Sequence, residues 1–334
     1  MKYIIVYPET HKHLGLFEDL NENSDVVSIV ASQKNIKSKI YKRIKKIHLS
    51  GVINRYIKIP FKRIWYKPIK LDIKSNEEYC VIIVDAALRS FDITYLNNII
   101  SKENVRGVLV LINSLGAHST SMIEIKSLIP KICWNDVYTF DPIDEKKYGY
   151  KPLQGAYYSL HNVALIKENY KEQFQEQTDV YFVGGLKGNR EDFIISLFGE
   201  MERNTIKADF NILITGERRL HKKKYENKIN YYSGGWISYE KVLAGILNSN
   251  VIIEILQDGQ HGPSLRYYEA VCYNKKLLTT NKKIANLPYY DERYMKIISD
   301  IEDIDIEWIK QKESIDYGYR GEFSPQNILK VVLQ

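Results

Sequence analysis

Residues 251–281 read VIIEILQDGQHGPSLRYYEAVCYNKKLLTTN, and their pattern decides the fold. The apolar run 251–256 has the length and β-branched content of a buried strand. A polar, glycine-containing loop follows at 257–262, then a helix opened by Pro263, then a second strand at 276–280. Proline just inside a helix start loses no hydrogen bond, because the first N–H groups have no intrahelical partner. The turn at Gly262-Pro263 is expected to leave the amides of Ser264, Leu265 and Arg266 free at the positive end of a helix dipole, where an anion is favoured. Glu269 lies three residues beyond Arg266 on the same helical face. Such a grouping suits a sugar nucleotide, with the amides and Arg266 on the diphosphate and Glu269 accepting from ribose hydroxyls. The alternative is a surface ion pair between Arg266 and Glu269, worth well under about 1 kcal/mol. Glu254 sits inside the apolar strand and must be paired or face a ligand. Together with Asp258, Gln260 and His261 it is expected to read sugar hydroxyls.

The segment GPSLRYYEAVCYNKKLLTTN (262–281) resembles the donor-binding helix of GT-B fold glycosyltransferases, in which a Glu-Ala pair binds the nucleotide ribose and a short strand follows. More narrowly, EILQDGQHGPSLRYYEA (254–270) and YTFDPIDEKKYGY (138–150) resemble bacterial glycosyltransferases of lipopolysaccharide and capsule biosynthesis. The likeness covers most of residues 136–281 and is only architectural before them. It implies an α/β chain of two Rossmann-like doubly wound domains facing a central cleft. The donor it implies is a nucleoside-diphosphate sugar, a UDP-sugar foremost, and no cofactor is implied. Retaining members often carry two glutamates separated by seven residues. Glu269 fits the second, and His261 stands at the first, where it would donate a bond to sugar or phosphate or else shape the loop.

The length of 334 residues is comfortable for two domains. Residues 1–165 are expected to form the N-terminal acceptor domain and 166–315 the donor domain. The tail, 316–334, would return to the first domain, as GT-B chains commonly do. Cys80, Cys133 and Cys272 are widely spaced in apolar contexts and read as reduced core residues of a cytosolic protein. The apolar run 3–7, ended by Pro8, is a first strand, too short for a signal peptide or a spanning helix. The expected location is therefore cytoplasmic, with peripheral contact at the inner face of the cell membrane. No DxD motif stands outside the surface segment Asp303-Ile304-Asp305, and no bound metal is expected.

The net charge of +7 is unevenly placed, since residues 26–71 hold thirteen Lys or Arg and no Asp or Glu. From Ile36, apolar residues recur at Ile40, Ile44 and Ile47, the spacing of one helical face, with Lys42, Arg43, Lys45 and Lys46 between them. A basic amphipathic helix of this kind can lie on anionic lipid. Arg55, Arg63 and Trp65 extend the same mixture of cations and aromatics, as a contact to a membrane or an anionic acceptor. The alternative packs the isoleucines on the N-terminal sheet and leaves the lysines solvated. No nucleic-acid module accompanies the basic stretch, so no such partner is expected.

Strands at 3–7, 26–30, 80–84 and 108–112 alternate with helices near 94–101 and 121–128, which argues for a parallel doubly wound sheet. Ligands bind such sheets at the carboxyl ends of strands. Asp85 closes the strand CVIIV and is the candidate base for an acceptor hydroxyl, or else only caps the next turn. Residues 135–158 read as an exposed, semi-rigid connector. In the second half, strand 180–183 runs into Gly184, Gly185, Lys187 and Arg190, whose open backbone and two cations suit a diphosphate. In the GT-B enzymes that the chain resembles, the junction ahead of the candidate N-cap Ser238 sits beside the nucleotide base, which implies that Ile237 or Trp236 would contact it, with packing the alternative for Trp236. The expected function is transfer of a sugar from a nucleoside-diphosphate donor to a lipid-linked surface glycan. The rivals are a sugar-nucleotide epimerase of the same architecture and a non-catalytic scaffold subunit.

Overall fold

The computed structural model describes residues 1–10, 16–57, 59–116, 120–153, 177–185, 190–214, 225, 227–233, 237–257, 260 and 262–333. It divides into two units, one formed by Met1–Tyr157 with Ser324–Gln334 and the other by Tyr158–Phe323. Each is built on its own six-stranded, all-parallel sheet with helices beside it, so the chain consists of two Rossmann-like domains.

The first sheet contains β1 (Lys2–Pro8), β2 (Val26–Ala31), β3 (Tyr79–Val84), β4 (Val105–Leu111), β5 (Asp136–Thr139) and β6 (Lys151–Pro152), in the order β2-β1-β3-β4-β5-β6. β3 is buried along its whole length, as a central parallel strand covered on both faces must be. Val6 lies in register with Ile29 on one side and Ile83 on the other. Two helices, α1 (Lys39–His48) and α2 (Gly51–Tyr56), follow β2. After β3 and β4 come α3 (Ile93–Ile100) and α4 (Thr120–Leu128). Leu96, Ile99 and Ile100 of α3 and Met122 and Ile125 of α4 close over Val81, Ile83, Leu109 and Leu111 in one apolar cluster.

The stretch expected to be an exposed connector is instead part of this domain. β5 pairs with β4 from Val108↔Asp136 to Leu111↔Thr139, and Asp136 is ion-paired to Arg106 at 2.5 Å and Lys151 at 2.7 Å. Asp141 then caps α5 (Pro142–Tyr148) by accepting from the Ile143 amide at 2.8 Å. Proline at the first helical position and Gly149 at φ 68° beyond the last give this short helix both of its stops. The expected boundary near residue 165 falls within 154–176, outside the described residues. Residues 316–323 group with the second unit, whereas the final helix, α10 (Gln326–Val331), groups with the first. Gln326 Nε2 donates to the Asp19 carbonyl at 2.7 Å, and the Tyr138 hydroxyl donates to the Val331 carbonyl at 3.3 Å.

The second sheet contains β7 (Thr178–Gly185), β8 (Ala208–Ile214), β9 (Asn230–Ser233), β10 (Ser249–Glu254), β11 (Lys276–Thr279) and β12 (Met295–Ile297). Its helices are α6 (Arg190–Arg203), α7 (Tyr239–Leu247), α8 (Leu265–Cys272) and α9 (Ile306–Lys310). The order β12-β11-β10-β7-β8-β9 is the doubly wound 3-2-1-4-5-6 arrangement of dinucleotide-binding sheets. The winding reverses between β7 and β10, which pair through Val251↔Val180 and Ile253↔Phe182. One face carries Val180, Phe182, Phe210 and Ile253 against Ile194, Leu197 and Phe198 of α6.

The other face brings Tyr181 against α7 so closely that only glycine fits at residue 245. A Cβ there would stand 2.2 Å from Tyr181 Cε2. Cys80 is buried and Cys272 half-buried, and burial pushes both thiols up to about 12. Cys133 is exposed, contrary to the expectation of a core residue. Among the described residues no helix is long and apolar enough to cross a membrane. Gly245→Ala should destabilise the second domain by about 1–3 kcal/mol through overpacking against Tyr181. A denaturant midpoint equal to that of the unmodified chain would refute this packing.

Candidate functional site

The carboxyl ends of β7 and β10 meet at the winding reversal, where doubly wound sheets bind ligands. Gly184 and Gly185 end β7, and a Cβ on Gly184 would meet Phe182 Cζ at 2.9 Å. Arg190, the first residue of α6, reaches back across both strand ends. Its Nη1 donates to the Ile255 carbonyl at 2.6 Å and its Nε to the Gly185 carbonyl at 3.0 Å. Expected to hold a diphosphate, Arg190 instead clamps β7 to β10 through main-chain carbonyls. A guanidinium meets two diverging carbonyls well because its donors form a fixed planar fork.

α8 begins at Leu265, two residues later than the expected proline start, with Ser264 as its N-cap. The Ser264 hydroxyl accepts from the Arg266 amide at 3.1 Å. The Ser264 amide donates to Glu254 Oε1 at 2.9 Å, and the other oxygen of Glu254 accepts from the Thr279 hydroxyl. Glu254 is buried with both oxygens engaged. It therefore joins β10 to β11 and to the helix start, and it is not placed to read sugar hydroxyls as expected. Of the three amides expected to be free, those of Ser264 and Arg266 are occupied. Only the Leu265 N–H has no partner among the described residues. Gly262 and Pro263 are buried, and Gln260 lies over them with its Nε2 at 3.5 Å from the Gly262 carbonyl.

One turn into α8, Arg266 Nη1 stands 2.9 Å from Glu269 Oε2. Glu269 is fully buried and the Arg266 side chain is 13% exposed, which overturns the surface-pair alternative. Removing one partner of a pair so placed costs about 3–5 kcal/mol, because the other charge is left in low dielectric. Behind the pair lie Tyr181 and Tyr273. Burial pushes both phenols upward, and the Arg266 cation pulls them the other way. This tyrosine layer is absent from the sequence reading. Its trace there is a glycine inside the helical run YEKVLAGIL, which makes room for a ring. Ile237 is buried immediately before Ser238, whose hydroxyl caps α7 by accepting from the Lys241 amide at 3.3 Å. Lys187 and His261, together with Trp236 and Asp258, lie outside the described residues. Among the described residues no three His, Cys, Asp or Glu side chains converge as a metal ion would require.

In the first domain Asp85 closes β3 and is fully buried. Its Oδ2 accepts from the Ile112 amide at 3.1 Å and Asn113 Nδ2 at 2.9 Å, and its Oδ1 accepts from the Ala86 amide. Burial pushes its carboxyl upward while these donors hold it down. The expected base is thus a tie between the ends of β3 and β4, with no face open to an acceptor hydroxyl.

The basic region divides into two parts. No residue of α1 is buried, and Ile40 is 69%, Ile44 46% and Ile47 55% exposed. The isoleucine stripe therefore does not pack on the sheet. Lys42, Arg43 and Lys46 are exposed, while Lys45 extends its Nζ to 3.4 Å from the Lys34 carbonyl. Tyr56, Ile57, Phe61 and Ile64 continue the exposed apolar surface. Phe61 is 79% exposed and sits at φ 59°, a left-handed conformation that costs a non-glycine residue about 1–2 kcal/mol. Arg63 is half exposed and ion-paired to Asp92 at 2.5 Å. Trp65 departs from expectation: it is buried, and its indole donates to His48 Nδ1 at 2.7 Å, bracing α1 from inside. The side chain of Arg55 lies outside the described ones.

Asp85→Asn should lower stability by about 1–3 kcal/mol, since an amide nitrogen would then face main-chain donors. A stable Asp85→Asn protein that had lost only turnover would restore the catalytic reading.

No protein-family model matches the chain, and no curated protein matches its sequence. Solved structures of similar chain course include an α,α-trehalose-phosphate synthase (UDP-forming) from Burkholderia vietnamiensis, at 8% identity and TM-score 0.49, covering 99% of this chain and 94% of that one. A UDP-N-acetylglucosamine 2-epimerase from Rickettsia bellii has 10% identity and TM-score 0.48, covering 100% and 96%. HepE from Anabaena, in complex with UDP and glucose, has 9% identity and TM-score 0.47, covering 100% of both chains.

Proposed function

We propose that this chain is a GT-B-type glycosyltransferase. It would move a sugar from a nucleoside-diphosphate donor, a UDP-sugar foremost, to a lipid-linked glycan of a bacterial surface polysaccharide such as lipopolysaccharide or capsule. The observation that carries this reading is the position of α8. Its capped start stands beyond the carboxyl end of β10, at the winding reversal of a 3-2-1-4-5-6 sheet, with Arg266 and Glu269 one turn inside.

As the bond from C1 of the sugar to the diphosphate breaks, negative charge grows on the leaving group. The Leu265 amide, the helix dipole and Arg266 would stabilise it, with Lys187 as a second cation. These groups supply the neutralisation that a bound metal would otherwise give. Glu269 would accept from the ribose hydroxyls, and His261 would donate to sugar or phosphate. Asp85 has no part in this chemistry.

The exposed stripe of α1, with its four flanking cations, supports work at the inner face of the cell membrane, where the acceptor's lipid would be held. Glu269→Gln keeps the shape of the buried pair and should weaken binding of UDP-sugars about tenfold to a hundredfold, the worth of a charged hydrogen bond. Calorimetry showing full affinity in a folded Glu269→Gln protein would sink the ribose assignment. Epimer formation from the donor alone would point to an epimerase instead. Replacing Lys42, Arg43, Lys45 and Lys46 by Gln should lower partitioning onto anionic vesicles about a hundredfold or more, at about 1 kcal/mol per charge near the surface. Unaltered cosedimentation would remove the membrane from the account.

A further inference from the structure

The first domain holds a cavity of about 590 Å³ beside the segment that carries α1. The connection is direct: His48 of α1 bonds the Pro60 carbonyl at 2.6 Å, and residues 61–64 then line the cavity. Four cations reach it, Lys34, Lys62, Arg63 and Arg89, against two carboxylates, Asp92 and Glu124. Arg63 is matched by Asp92. Lys62 and Arg89, both largely buried, share one oxygen of Glu124, at 3.4 and 3.1 Å. Lys34 has no carboxylate partner among the described residues, and the buried Arg89 Nε has no acceptor among them. The Arg89 guanidinium is held over the Tyr66 ring, 5.4 Å from its centroid, which fixes the fork. The first turn of α3, at Ile93 and Thr94, borders the same space and adds the positive end of a helix.

Two positive charges are thus left over in a partly enclosed space, and the exposed side chains of Phe61 and Ile64 stand at its edge. A terminal phosphate carries about −1.5 to −2 at neutral pH and three acceptor oxygens, whereas a phosphodiester carries one charge. Arginine forks bind such groups through paired N–H donors. We propose that this cavity grips the terminal phosphate or diphosphate of a lipid whose hydrocarbon chain lies against Phe61, Ile64 and the apolar stripe of α1. Charge complementarity selects the head, and the adjoining apolar surface selects a lipid over a soluble phosphate. The inference rests on the membrane-docked reading and names the lipid headgroup that holds the chain at the surface, a lipid separate from the glycan acceptor.

The test is cosedimentation of the full chain with phosphatidylcholine vesicles containing either phosphatidate or phosphatidylglycerol, adjusted to equal surface charge. The expected result is at least a tenfold preference for phosphatidate, abolished in Arg89→Gln and Lys62→Gln. Glu124→Gln, which removes the shared counter-charge, should strengthen the preference, and it serves where the cation variants fail to fold. Equal binding to the two vesicles would overturn the pocket while leaving membrane docking intact. Absence of binding to either would overturn both. Inorganic phosphate binding as tightly as phosphatidate in vesicles would also overturn the lipid assignment.

Discussion

A single buried carboxylate, Glu254, holds the second domain's strand ends in place. One oxygen takes the Ser264 amide and the other the Thr279 hydroxyl, so β10, β11 and the start of α8 are fixed to one point. An acid in so apolar a strand is tolerated only because every oxygen is met. Arg190 does the complementary work on the other side, drawing the carbonyls at the ends of β7 and β10 together. The Glu254 tie fixes the Ser264 N-cap, and Arg266 and Glu269 follow on the first turns of α8.

Long, doubly covered strands are legible in sequence because burial on both faces demands an unbroken apolar run, as in YCVIIV and VIIE. β5, β6, β9 and β12 are two to four residues long and carry too few apolar positions to show a period. Their existence depends on a neighbour already in place. That is why 135–158 reads as a connector although 136–152 hold the far edge of the first sheet.

The site is legible to a different depth. Residue types and spacing along α8 mark the pair Arg266 and Glu269, but they do not say how deep the pair lies. Glu269 is fully buried at its pair with Arg266, and Tyr181, close enough to feel both charges, meets Gly245 from a strand far away in sequence. Nor can spacing tell which aromatic faces water. Trp65 and Phe61 sit four residues apart in the same basic stretch, yet His48 takes the indole inward while the left-handed backbone at Phe61 turns its ring out.

Asp85 and Glu254 are the same device in two domains: an acid at the carboxyl end of a central parallel strand, accepting from the amides just beyond it. Asp144, on the first turn of α5, takes the Leu115 amide beyond β4 at 2.7 Å. The partial positive charge that gathers at these strand ends from main-chain N–H groups is thereby neutralised within the fold. Of the three amides at the start of α8, only that of Leu265 has no partner among the described residues. On the proposed reading an anion there is held chiefly by side-chain cations, the part given to Arg266 on the first turn of α8. The same reasoning separates the two domains. At the end of β3 donors meet both oxygens of the acid, whereas around the cavity beside Phe61 lysines and arginines outnumber the carboxylates between them.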